Sequence, residues 1–114
     1  MIADAHIHLF RHGYWRKRGL SPLGTTSDLA AYARFRRQHQ IGQSLVVGYE
    51  GDDIDPTNND YIARLVAQHN WIVPLAYFDE NATADAVARH LAAGHCGIAL
   101  YLEDAAAAAR LKRW

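Results

Sequence analysis

The chain opens with a run in which polar and apolar side chains alternate, Ile2-Ala3-Asp4-Ala5-His6-Ile7-His8-Leu9. Successive side chains of a β-strand point to opposite faces of the sheet, so this run predicts a strand over residues 2–9. Asp4, His6 and His8 would share one face, and the other face would be wholly apolar and suited to packing under helices. The first strand is therefore predicted to carry a buried layer on one side and a group of polar side chains on the other.

Beyond this strand, apolar periodicity divides the chain into helix-like and strand-like runs that alternate. The predicted helices cover residues 27–40, a segment with the apolar stripe Ile62, Leu65, Val66 and His69, and residues 83–93. The further predicted strands cover residues 44–49, 71–78 and 97–102. The alanine-rich segment 104–114 is helical by propensity.

Capping residues support these helix boundaries. Ser27 is suited to the N-cap of the first helix, Gly42 to its termination, and Gly94 to the end of the third helix. The acidic loop over residues 51–60 ends in three residues that could each cap the second helix: Asn58, Asn59 and Asp60.

Strict alternation of strands and helices predicts parallel strands joined by right-handed crossovers, which is an α/β fold. A complete (β/α)8 barrel, the TIM barrel, takes about 250 residues. With 114 residues, the chain is long enough for about four β-α units, which is half of such a barrel. No linker composition divides it, so residues 1–114 are predicted to form a single domain.

Composition excludes several classes of partner. Twelve Lys and Arg residues balance twelve Asp and Glu residues, so the net charge does not favour nucleic acid or an anionic membrane. No apolar run is long enough to span a membrane, and the first residues lack the pattern of a signal peptide, so a cytoplasmic protein is expected. The lone Cys96 excludes an internal disulfide and a zinc site built from cysteines.

The pair His6 and His8 is the strongest candidate for chemistry. Two imidazoles at positions i and i+2 point the same way near the carboxyl end of a strand, which is where parallel α/β folds gather their ligands. Neutral imidazole is a good ligand for zinc and similar ions, so the pair is predicted to chelate one divalent metal. The alternative is a polar, solvated face on an edge strand.

Three segments of the sequence resemble the amidohydrolase superfamily, and more narrowly its amidohydrolase-related branch of hydrolases, lactonases and non-oxidative decarboxylases. The first is the opening strand with its His-x-His pair. The second joins two runs, Asn59-Asp60-Tyr61-Ile62-Ala63 and Trp71-Ile72-Val73-Pro74-Leu75-Ala76-Tyr77. The third is Ala92-Ala93-Gly94-His95-Cys96-Gly97-Ile98-Ala99-Leu100.

The resemblance implies a metal-dependent enzyme that acts on a small molecule by hydrolysis or decarboxylation. His6 and His8 would bind a divalent ion, with zinc as the expected metal, and Asp4 would orient a ligand rather than bind the metal itself. In the family the other ligands and the catalytic aspartate come from the fifth, sixth and eighth strands, so the resemblance implies that the four units predicted here are the amino-terminal half of a TIM barrel.

The loop after the first strand is the candidate for substrate binding. His12, Arg16 and Arg18, with Lys17 between the arginines, would lie on the face where barrel enzymes build their sites. Guanidinium groups bind carboxylates well, so a carboxylate-bearing substrate is expected. The alternative is a solvated loop without a binding role.

Other functions remain open. TatD-like deoxyribonucleases and PHP-type phosphoesterases share the opening motif, but the run Gly97-Ile98-Ala99-Leu100 and the turn Phe10-Arg11-His12-Gly13 depart from their patterns. The alternative outside enzymes is a non-catalytic half-barrel or assembly module. A half-barrel would leave unpaired strand edges, so a homo-oligomer is expected in that case.

Overall fold

The computed structural model describes residues 1–12, 26–51 and 54–103, together with Ala106 and Ala109. Four strands and three helices alternate along this part of the chain. The strands are β1 (Ile2–Ile7), β2 (Ile41–Val47), β3 (Ile72–Asp79) and β4 (Gly97–Tyr101). The helices are α1 (Asp28–Gln38), α2 (Asn58–Val66) and α3 (Ala84–Ala92). The predicted final helix falls almost wholly outside the described residues.

The four strands form one parallel sheet in the order β1-β2-β3-β4, which confirms the predicted α/β class. The sheet curls in the manner of half a barrel. Among the described strands, β1 and β4 each have a neighbour on one side only. All four strands run in the same direction, so their carboxyl ends lie at one edge, where His8, Tyr49 and Tyr101 are found.

The helices cover one face of this sheet, which we call the helix face, and the opposite face is the inner face. In β3, burial alternates along the strand, because Ile72, Pro74, Ala76 and Phe78 are buried and their neighbours are partly exposed. A core cluster lies on the helix face, and it consists of Leu9, Val46, Ile62, Leu65, Trp71 and Ile72. Pro74, which removes a donor from the ladder, is accommodated within β3.

A register shift in β1 changes which face Asp4 occupies. Asp4 pairs with Ser44 and Ile7 pairs with Val46, so three steps along β1 match two steps along β2. The extra residue is a β-bulge, which reverses the alternation of faces between Asp4 and Ile7. The predicted common face was therefore wrong for Asp4, whose side chain lies on the helix face with Ile7.

The start of α1 follows the predicted capping and its end does not. The Oγ of Ser27 accepts a hydrogen bond from the amide of Ala30 at 3.1 Å, which confirms Ser27 as the N-cap of α1. Gly42 was expected to end this helix, but it lies inside β2. The chain turns instead at Gln40, whose φ of 56° is in the left-handed region.

The second and third helices depart from their predicted details. The N-cap of α2 is Thr57, which makes no side-chain capping bond, rather than one of the three predicted residues. Thr83 caps α3 through a hydrogen bond from the amide of Ala86 at 3.2 Å, and Gly94 ends the turn after it with a φ of 112°. The sequence also predicts an apolar face on this helix, formed by Ala84, Val87, Ala88 and Leu91, but this face is largely exposed, since Ala84 and Ala88 are exposed and Leu91 is 44% accessible.

No helix in the described ranges combines the length and the apolar character needed to cross a membrane.

Candidate metal centre

The rings of His6 and His8 converge on the inner face at the carboxyl end of β1. Their Nε2 atoms are 3.1 Å apart, and the ring planes meet at 74°. The two residues flank Ile7, which packs against the core on the helix face, so both imidazoles point to the inner face as predicted. Two nitrogen atoms are thus presented close together at the position where the sequence predicts a metal.

A backbone carbonyl fixes the orientation of His8. Its Nδ1 lies 2.7 Å from the carbonyl oxygen of Val47, at the end of the neighbouring strand β2. A carbonyl oxygen only accepts hydrogen bonds, so Nδ1 carries the proton and Nε2 presents its lone pair. Metal-binding histidines commonly donate their second ring N–H to a carbonyl or carboxylate in this way. The Val47 contact therefore holds His8 in the tautomer suited to metal binding through Nε2.

The environment also favours the neutral form of His8. Burial lowers the pKa of the His8 imidazole from its ordinary value, the hydrogen bond to Val47 opposes this shift, and the charge of His6 adds to it. Metal ligation requires a deprotonated nitrogen, so a neutral imidazole is the form that binds. His6, by contrast, is exposed to solvent.

Aromatic rings continue from His8 across the carboxyl ends of the other strands. Tyr49 makes an edge contact with His8 at 5.8 Å between ring centroids. Tyr49 also packs against Tyr77 and Tyr101, each at 5.4 Å, and the last two rings are 5.0 Å apart. Burial raises the pKa values of Tyr77 and Tyr101, so their hydroxyls stay protonated and are able to donate hydrogen bonds.

A cavity of about 230 Å³ opens beside this group of three tyrosines. It is lined by Tyr77 and Tyr101 together with carboxylates from Asp79 and Glu103. Asp79 ends β3 and Glu103 follows β4, so the cavity lies at the same edge of the sheet as the histidine pair. The described part of this edge therefore offers aromatic and acidic groups.

Asp4 contacts the histidines only through the backbone. Its Oδ1 accepts a hydrogen bond from the amide of His6 at 3.4 Å, and its Oδ2 accepts one from the hydroxyl of Tyr32 at 2.8 Å. The same hydroxyl is 2.8 Å from the Oγ of Ser44, which is fully buried. Asp4 thus ties β1 to α1 and β2, and none of its described contacts is with an imidazole ring.

The predicted substrate-binding residues are only partly placed. Arg16 and Arg18, with Lys17 between them, lie outside the described residues. His12 is exposed. Burial acts to raise the pKa of the Asp55 carboxyl, but hydrogen bonds from Thr57 outweigh it and lower the pKa, with smaller contributions from Arg11 and His12. The neighbouring Arg11 lies over the ring of Tyr61, at 5.6 Å from its centroid.

Two buried asparagines at the start of α2, predicted as N-caps, have a different role in the structure. Asn58 and Asn59 are 0% and 1% exposed. Both side chains hydrogen-bond to the backbone near the carboxyl ends of the strands, rather than capping their own helix. The only local signal for these residues in the sequence is an Asn-Asn pair at a predicted helix start. That signal does not distinguish helix capping from hydrogen bonding to the ends of the strands.

Neither Asp4 nor any other described carboxylate, histidine or cysteine joins His6 and His8 in a group of three ligands. Glu50, which follows β2, accepts a hydrogen bond from the amide of Asn59 at 2.8 Å, and burial raises the pKa of its carboxyl. The candidate ligands that this part of the chain brings together are therefore His6 and His8 alone.

No protein-family model, curated protein or solved structure matches this chain significantly. The resemblance to the amidohydrolase-related branch therefore rests on the sequence segments quoted above, and function has to be argued from the geometry of the site.

Proposed function

We propose that this chain supplies the first two ligands of a divalent metal centre in a hydrolase or decarboxylase of the amidohydrolase type. The observation that carries the proposal is the 3.1 Å separation of the Nε2 atoms of His6 and His8, with the Nδ1 of His8 anchored on Val47. The curled parallel sheet that presents them would be the amino-terminal half of a TIM barrel.

The separation fits one shared ion. Two nitrogen ligands at about 2.0–2.1 Å from an ion, with an angle between about 90° and 110°, lie about 2.9–3.4 Å apart. The observed 3.1 Å is within that range. Zinc is the metal we favour, because imidazole nitrogen is among its usual ligands and two positions would remain for other groups.

A zinc ion bound here would lower the pKa of a coordinated water and polarise a substrate carbonyl. The described residues contribute binding and orientation: His6 and His8 hold the ion, and Val47 fixes the ring of His8. The three tyrosines would form one wall for a small-molecule substrate. Arg16 and Arg18 remain the proposed partners of a substrate carboxylate, with hydrolysis and decarboxylation both compatible with this arrangement.

Self-association is part of the proposal. The edges of β1 and β4 have no neighbour among the described strands, and such edges favour pairing with another chain. Two copies related by a two-fold axis would pair β1 of each with β4 of the other and bring two histidine pairs to one mouth. A stoichiometry of one zinc per two chains would indicate a shared ion, and one per chain would indicate separate sites.

Metal binding distinguishes this proposal from the alternative of a non-catalytic assembly module. The alternative is favoured by the number of candidate ligands, since the described residues bring together only two. The experiment is calorimetric titration of the chain with Zn²⁺ alone, compared with the double variant His6→Asn/His8→Asn. We expect the variant to lose affinity by at least about 10-fold, since both ligands are removed. The control is His39→Asn/His69→Asn, which removes the same number of imidazoles elsewhere. Equal affinity in the two double variants would rule out the proposal.

A further inference from the structure

Asn58 uses both ends of its side-chain amide in the interior. Its Nδ2 donates to the carbonyl oxygen of Leu9 at 2.8 Å, and its Oδ1 accepts from the amide of Tyr49 at 3.0 Å. The residue is fully buried, so its side-chain amide depends on these two protein partners rather than on water. One side chain on α2 thus bonds to the segments that follow β1 and β2.

These two segments flank the hydrogen bond that orients His8. Leu9 directly follows His8, and Tyr49 lies two residues after Val47. Both strands have ended before Leu9 and Tyr49, so no ladder between β1 and β2 holds these residues together. The two hydrogen bonds of Asn58 take the place of strand pairing next to the contact between the Nδ1 of His8 and the Val47 carbonyl.

We propose that Asn58 is a positioning residue that holds the His8 ring in one tautomer and one orientation, with Nε2 directed at His6. The inference rests on the proposed function, because orientation of His8 matters chemically when Nε2 is a metal ligand. Loss of either bond would let the Leu9 and Tyr49 segments separate. The contact between His8 and Val47 would then lengthen, and the ring would exchange tautomers.

The chemistry of the side chain explains why asparagine is needed here. The position requires one donor for a carbonyl and one acceptor for an amide, on a side chain short enough to bond at the first turn of a helix. Aspartate lacks the donor, and alanine lacks both groups. Substitution by either leaves at least the Leu9 carbonyl without its buried partner.

Asn59 provides a matched control on the same helical turn. It is 1% exposed and also makes two side-chain bonds to backbone, but both are with Tyr77 of β3. Its Nδ2 donates to the Tyr77 carbonyl at 2.9 Å, and its Oδ1 accepts from the Tyr77 amide at 2.7 Å. A substitution at Asn59 therefore removes a similar set of buried bonds without releasing Leu9 or Tyr49.

The test compares Asn58→Ala and Asn58→Asp with Asn59→Ala and Asn59→Asp in the full chain. The first readout is the tautomer of His8 in metal-free protein, measured from the ¹⁵N chemical shifts of its ring. We expect the Nδ1–H form to dominate in the parent chain and in the Asn59 variants, and both tautomers to be populated in the Asn58 variants. If Asn58→Ala does not fold, Asn58→Asp, which keeps the acceptor for Tyr49, decides the outcome.

The second readout is the affinity for Zn²⁺, which we expect to fall about 10-fold in the Asn58 variants and to change little in the Asn59 variants. An unchanged His8 tautomer in the Asn58 variants would overturn the inference, and so would an equal change in both pairs of variants. If the parent chain binds no zinc, the proposed function fails, whereas a tautomer change specific to Asn58 would still support the positioning role.

Discussion

The ring of His8 donates a hydrogen bond from Nδ1 to the carbonyl oxygen of Val47 at 2.7 Å, across the ends of two adjacent parallel strands. This contact distinguishes His8 from His6, whose ring is exposed and meets only the Nε2 of its neighbour among the described hydrogen bonds. In the proposed metal centre the two histidines would therefore be unequal as ligands, because the fold orients the ring of His8 in the absence of metal and does not orient that of His6.

That inequality predicts unequal losses of metal affinity. His8→Ala leaves only the exposed imidazole of His6, whereas His6→Ala leaves an oriented one. We expect the His8 variant to lose about 10-fold more affinity for Zn²⁺ than the His6 variant. Titration of each single variant measures this, with His12→Ala as a nearby exposed control. Equal losses from the two variants would contradict the orienting role of Val47.

Tyr32→Phe should destabilise the sheet at β1. The change removes one hydroxyl that contacts both the Asp4 carboxylate and the buried Ser44 hydroxyl, each at 2.8 Å. We expect a loss of about 1–3 kcal/mol in the free energy of unfolding, because buried polar atoms lose their partner. Urea denaturation measures the loss. Tyr61→Phe is the control, since that ring packs on the same core but makes neither of these two contacts. A similar change in both variants would argue against the Asp4-Tyr32-Ser44 network.

Gly48→Ala should lower the free energy of unfolding, whereas Gly51→Ala should leave it unchanged. A Cβ on Gly48 would collide with the Oδ1 of Asn59 and lie 3.0 Å from the amide nitrogen of Tyr77, the two atoms of one buried hydrogen bond. A Cβ on Gly51 meets no atom within 4 Å. We expect a loss of about 1–3 kcal/mol for the first variant from overpacking. Thermal unfolding of the two variants tests this. Equal stability of the two would contradict the expected clash with Asn59.

His95 should make stability depend on pH below neutrality. The residue is 4% exposed, its Nδ1 donates to the His90 carbonyl at 3.0 Å, and its Nε2 is buried. Burial lowers the pKa of His95 and the charge of His90 adds to this, while interactions with the backbone of His90 and of Asn59 and the charge of Asp60 oppose it. The neutral form is therefore favoured in the folded chain.

The direction of the pH dependence of stability follows from this lowered pKa. The unfolded chain takes up the proton first, so the contribution of His95 to stability is complete above the ordinary histidine pKa of about 6.5 and is lost as the pH falls through the folded-state value. Urea denaturation at pH 7.5 and 5.5 should show a smaller acid-induced loss for His95→Gln than for the parent chain. His39→Gln, at an exposed position, should behave as the parent does. An identical loss in all three chains would exclude His95 as the cause.

Local patterns predicted much of this fold because they depend on neighbours in sequence. Ser27 and Thr83 were each placed correctly at the start of a helix, since an N-cap bond reaches only to the third residue onward. The ends of elements were less accurate. Gly42 was expected to end α1 because glycine often follows helices, but pairing of β2 with β1 begins at Ile41 and draws Gly42 into the strand.

The sequence predicted the two imidazoles of the candidate site but not the groups that support them. His6 and His8 were found from their spacing, because side-chain alternation is a local property of a strand. Neither the Val47 carbonyl nor the tyrosines at the ends of β2, β3 and β4 carry a local signal. Each reaches the site only through the parallel pairing of strands that are distant in the chain.

By itself, the sequence determined the alternation of strands and helices, the parallel α/β class and the pair of imidazoles on one face, because these follow from the periodicity of short segments. Tertiary structure alone decided the rest. The bulge that turns Asp4 towards Tyr32 arises from the register of β1 on β2, and Asn58 bonds to Leu9 across 49 positions of sequence. Register and long-range hydrogen bonds depend on which segments meet in the folded chain, and periodicity within one segment carries no information about that.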